Sequence, residues 1–111
     1  MKNQKYHIDT FPAESTLENL QTRFSGSYEA VVPYGGHVVA ATYAWDATAR
    51  DMICVAAVYA YTTEDHGIEA PIRFIKESEI SFEDEGHALE WGINLAKLLD
   101  DVTSAFAAKE G

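Results

Sequence analysis

Cysteine is almost missing from this sequence: Cys54 is the only one. An intramolecular disulfide is therefore excluded, and so is a cysteine-rich zinc site. Basic residues are scarce too. Eight Lys and Arg stand against eighteen Asp and Glu, giving a formal charge of −10. Binding to a nucleic-acid backbone depends on lysines and arginines that displace counterions, so direct binding to DNA or RNA is not expected. Anionic lipid repels such a chain for the same reason. No segment approaches the roughly 18 unbroken apolar residues of a membrane helix. The N-terminal MKNQKYHIDTF has two lysines with no apolar run behind them, which is not the pattern of a secretory signal. The expected location is the cytoplasm. No repeat, low-complexity tract or Gly/Ser/Pro-rich linker divides the chain, so residues 1–111 are expected to form one domain.

What is present is enough apolar material for a real core. Apolar residues make up 47% of the sequence, and a chain of this size buries roughly 65% of its unfolded surface. Residues 5–11 alternate loosely and read as a short strand ended by Pro12. Ser15-Thr16-Leu17-Glu18 matches a capping box, with Ser15 as the cap. Leu17, Leu20 and Phe24 follow at helical spacing, and Gly26 is a suitable stop. The expected helix covers residues 15–24.

The middle of the chain reads as sheet. Residues 28–34 and 37–45 alternate around Gly35-Gly36, a hairpin signal. A phosphate loop would need more glycines and a following helix, whereas a strand follows here. Residues 46–51 form a polar turn. Residues 52–61 are apolar on both faces, which places that strand centrally with cover on both sides. Residues 68–75 form a further strand, and Pro71 argues for an edge position because proline cannot donate to a ladder. Residues 79–82 either continue it or form a short strand of their own.

The last element is the clearest. Glu83, Asp84 and Glu85 suit the positive end of a helix dipole, with Asp84 as the cap. Ala88, Gly92, Leu95, Ala96, Leu99, Val102 and Phe106 form an apolar stripe over residues 85–108. Gly92 inside a helix is unfavourable by about 1 kcal/mol against alanine, so it marks a close approach to the sheet. The expected fold is α+β: an antiparallel meander of four to five strands, a short N-terminal helix, and a long amphipathic C-terminal helix packed on one face.

Catalytic chemistry finds little support in the residue pattern. His7, His37, His66 and His87 show none of the i, i+3 or i+4 spacings of a metal-binding helix, and His66 with Glu64 and Asp65 reads as a solvated loop. Cys54 lies inside an apolar strand, where a buried inert thiol is usual. The run from Glu77 to Glu85 has no calcium-loop register. No catalytic residue, metal or cofactor is expected.

The charge itself carries the functional expectation. Glu64, Asp65, Glu69, Glu77, Glu79, Glu83, Asp84 and Glu85 face only Arg73 and Lys76 within residues 64–85, while residues 1–37 hold three bases and four acids. Such polarisation suits a docking face for a basic protein or nucleoprotein complex, or simply a solubilising surface. Tyr34, Tyr43, Trp45 and Trp91 form a second candidate surface. Tyrosine and tryptophan anchor interfaces, and an uncovered aromatic sheet face would make a homodimer natural. Small acidic inhibitors of the anti-CRISPR or anti-restriction type, encoded by phages and mobile elements, share this profile. An immunity protein or chaperone that caps a toxin or secreted effector fits the same composition. The expectation is a non-catalytic binding protein that blocks a basic, nucleic-acid-handling partner.

Overall fold

The structure, a computed structural model, describes residues 10–26 and 29–110, with side chains described through residue 103. Its elements are β1 (Glu14–Thr16), α1 (Leu17–Arg23), β2 (Ala30–Tyr34), β3 (His37–Asp46), β4 (Asp51–Tyr61), β5 (Pro71–Glu77) and α2 (Glu85–Glu110). The five strands form one antiparallel, curled sheet in the order β1-β5-β4-β3-β2. Strands β2 to β5 are the meander that the turn signals imply, and β1 is added at its far edge. Most of the expected N-terminal strand, residues 5–11, lies outside the described residues.

Alternation along the strands sorts the core into two halves. Val38, Ala40 and Ala44 of β3 share a face with Val55, Ala57 and Tyr59 of β4. Phe11, Leu17, Leu20 and Phe24 cover that face, with Ile72 from β5. The opposite face carries Val39 and Ala41 with Cys54, Ala56 and Val58, and α2 lies across it. Thus β4 is central and covered on both sides. Helix α2 keeps to one face, while α1 and the segment before it add a partial third layer on the other.

Two local readings of the sequence are corrected. The cap of α1 is Thr16, whose hydroxyl accepts from the Asn19 amide at 3.1 Å, not Ser15. Ser15 belongs to β1, opposite Ile72. The next amides of α1 donate to the loop before β5: Leu17 N to Ala70 O at 3.2 Å and Glu18 N to Ile68 O at 2.7 Å. The helix ends at Arg23, with Phe24 rather than Gly26 closing it. The second correction concerns Pro71. It opens β5, which starts there and not at residue 68, and Thr16 of β1 pairs with it. Proline is tolerated at a strand's first residue as well as on an edge, so Pro71 does not expose β5. Residues 79–82 form no strand of their own, although Phe82 bridges Cys54.

The turns follow local chemistry. Gly35 takes φ 58° between the paired Tyr34 and His37, the sign that the first central residue of a type II′ turn requires. A Cβ at Gly35 would also overlap the Asp100 carboxylate of α2. Asp46 closes the β3–β4 turn by accepting from the amides of Thr48 and Ala49 at 2.9 and 3.3 Å. Gly92 is the close approach expected of it, since a Cβ there would overlap Val39.

Candidate interaction surface

The strand register decides where the acidic segment goes. Strand β5 divides it. Glu64, Asp65 and Glu69 stand exposed in the loop before β5, beside the N-terminus of α1. Glu77 ends β5 opposite Ala57, half-buried, with Oε2 shielded from solvent. The chain then runs back along β4: Ser78 N donates to Ala56 O at 2.7 Å, and Phe82 N to Cys54 O at 2.9 Å. This return carries Glu79, Glu83, Asp84 and Glu85 towards the β3–β4 turn. The Tyr43 hydroxyl donates to Glu83 O at 3.4 Å.

At that same end Asp46 and Asp51 are cross-strand partners. Carboxylates placed directly opposite each other destabilise a ladder. The sequence reading treated residues 46–51 only as a polar turn and so missed this pair. The signal was visible: two acids at the mouth of a short turn must face each other. Glu83, Asp84 and Glu85 thus come to the end of the sheet that holds Asp46, Asp51 and Arg50, whereas Glu79 stays with Lys76, which pairs with Val58 further along β4. Lys76 Nζ lies 3.7 Å from Glu79, an exposed pair of little energetic weight.

These acids do not have equal roles. Asp84 caps α2: its Oδ1 accepts from the His87 amide and lies 2.9 Å from His87 Nδ1. Those hydrogen bonds hold its carboxyl below the ordinary value, and the Asp84 hydrogen bond and charge lift His87 above its own. Glu79 and Glu83 are exposed, Glu79 beside Lys76, and Glu85 is half-buried.

The four candidate aromatics all lie on the α2 side of the sheet. Tyr34, Tyr43 and Trp91 are half-buried against the α2 clusters, and Trp91 also packs on Phe82. Trp45 is 49% exposed and pairs across the hairpin with Met52, equally exposed. Both sit beyond the N-terminus of α2, next to Asp46 and Asp51. Exposed apolar residues with a charged rim are the usual composition of a contact patch.

The remaining polar groups serve the fold. Cys54 is fully buried, and burial, then the charges of Glu85 and Asp84, push its thiol up to about 11. It stays protonated at neutral pH and is a poor nucleophile. His37 Nδ1 lies 2.9 Å from Asp100 Oδ1, an ion pair when the ring is protonated, though too oblique for a hydrogen bond. His66 stacks on Tyr61 with ring centroids 3.8 Å apart. Among the described residues no three His, Cys, Asp or Glu side chains converge as a metal site. No helix among them is long and apolar enough to cross a membrane.

Sequence comparison adds one finding. The model of the nucleotide modification associated domain 4 family matches residues 11–96. The chain belongs to that family. The family match takes in β1 to β5, α1 and the first half of α2, and so includes the whole acidic end and the Trp45–Met52 pair. No curated protein and no solved structure gives a significant match.

Proposed function

We propose that this chain is a non-catalytic, cytoplasmic binding protein that docks its acidic end onto a basic protein of the nucleotide-modification machinery and blocks that protein's cationic face. One observation carries this reading: Glu83, Asp84 and Glu85 reach the end of the sheet that carries the opposed Asp46–Asp51 pair and the half-exposed Trp45 and Met52. Carboxylates of this kind steer a cationic partner and set its orientation, and a central apolar anchor adds to the dwell time. The family description supports nucleotide modification as the setting. The cationic surface blocked would be one that otherwise holds a nucleotide or nucleic-acid phosphate, which is where an acidic body competes.

The test is binding of the purified chain to nucleotide-modifying enzymes encoded near its gene, at low and high salt. Reversal of Glu79, Glu83 and Glu85 to lysine is expected to weaken binding by roughly 10-fold or more at low salt, with a smaller difference at high salt. Asp84 is left in place because α2 depends on it. Equal affinity of the native and reversed proteins at low salt refutes the proposal.

A further inference from the structure

Helix α2 packs chiefly on β2, β3 and β4, with β5 at the margin of its footprint. On the α2 side of the sheet, β5 presents Arg73, opposite Ala60, and Lys76, opposite Val58. Both are exposed, and so is Ile75 at 40%. The helix has two flanks beside its sheet-facing stripe. One holds Asp100, which accepts from Gly36 N at 3.4 Å and lies beside His37, and so points toward β2 and β3. The other holds Trp91, which packs on Phe82 and so borders the open strip of β5. On this second flank Trp91, Leu95, Leu98 and Val102 follow at steps of four, three and four residues, the spacing of a coiled-coil seam. Leu98 is 58% exposed and Val102 47%.

We infer that a second copy of this chain fills that strip, with the two α2 helices lying parallel, seam against seam, between the two sheets. Charge decides the occupant. The chain as a whole carries −10, yet the strip holds Arg73, with Lys76 held beside Glu79, and Arg73 suits a carboxylate on the incoming helix. The outward face of α2 supplies the carboxylates of Glu90 and Asp101, with Asn94 and Lys97 between them. A two-fold axis parallel to the helices sets the seams together and lays the outward face of each α2 over β5 of the other copy. The axial levels agree. Asp100 sits beside Gly36, whose carbonyl accepts from Tyr61 N, and Arg73 is opposite Ala60, the neighbour of Tyr61. Asp101 of each copy therefore meets Arg73 of the other. The interface is isologous and leaves the acidic end free, so it stands apart from the function proposed above.

Sedimentation equilibrium of the full chain tests this. The native protein is expected to be a dimer at micromolar concentration. Leu98→Glu should weaken the dimer by roughly 10-fold or more, the loss expected at a central anchor. Arg73→Asp and Asp101→Arg should each weaken it, and the double variant should recover most of the loss. All of these positions are exposed in the monomer, and circular dichroism with thermal melting checks that each variant folds. A monomeric native protein, a dimer indifferent to Leu98→Glu, or a charge swap that restores nothing overturns the inference.

Discussion

The two faces of the sheet solve the same burial problem with opposite materials. On the α1 face the helix is only seven residues long, and large side chains fill the space. Phe11 and Phe24 meet edge to face, as do Tyr59 and Phe74, both with ring centroids 5.8 Å apart. The Tyr59 hydroxyl donates to Pro12 O at 2.6 Å, which satisfies a polar group that burial would otherwise penalise. On the α2 face the fully buried side chains are smaller, namely Val39, Ala41, Cys54, Ala56, Val58, Ala88 and Ala96 with Gly92 among them, and Leu89, Trp91, Leu95 and Leu99 are half-buried around them. The helix backbone comes close, and its length supplies the buried area. A short helix therefore depends on bulky neighbours, while a long one can dock on alanines. The first face is vulnerable to loss of volume and the second to its gain.

Leu20→Ala is the strongest way to break the first face. Leu20 is fully buried in the cluster that Phe11, Leu17 and Phe24 form with the sheet, so its loss should cost about 2–5 kcal/mol in chemical denaturation. Gly92→Val tests the second face from the other direction. The added atoms meet Val39, and the expected cost is about 1–3 kcal/mol. Leu99→Ala should be milder, about 1 kcal/mol, because Leu99 is only half-buried. If Leu99→Ala proved as damaging as Leu20→Ala, α2 would owe its hold to side-chain volume after all.

The same contrast explains what the sequence made legible. Strands β3 and β4 and helix α2 could be read because their periods run over ten residues or more. Strand β1 could not, since three residues carry no period and Ser15-Thr16 imitates a helix cap. Thr16 caps α1 one residue after the expected Ser15, with Asn19 and not Glu18 three residues on, so a hydroxyl cap forms without the expected capping box. The acidic segment shows the same limit at longer range. Residues 64–85 are contiguous in sequence, but β5 separates Glu64, Asp65 and Glu69 from the later carboxylates. Asp46 and Asp51 join those later carboxylates only through strand pairing. Charge count is a property of composition, whereas charge position is a property of the register. The open strip of β5 was illegible for a related reason: the width of sheet that a helix covers depends on where its first turn is anchored.

That first turn gives the smallest and most specific effect. Asp84 and His87 lie at the entry to α2 and share a proton-sensitive contact. The carboxyl of Asp84 is held below its ordinary 3.8 by the His87 amide and then the ring. Its contribution is therefore complete above that value and is lost as pH falls through the depressed one. His87 is raised above 6.5, chiefly by its hydrogen bond to Asp84. Its contribution is complete below 6.5 and is lost as pH rises through the elevated value. Both are fully present only between pH 3.8 and 6.5. Both groups face solvent, so the change is a shallow slope and not a transition. His87→Gln should flatten the slope on the alkaline side while leaving the acid side largely intact. Asp84→Ala should flatten both, because it removes the cap and the partner together. Denaturation midpoints of the three proteins from below pH 3.8 to above pH 6.5 measure it. A native-like alkaline slope in His87→Gln would move the titrating group elsewhere.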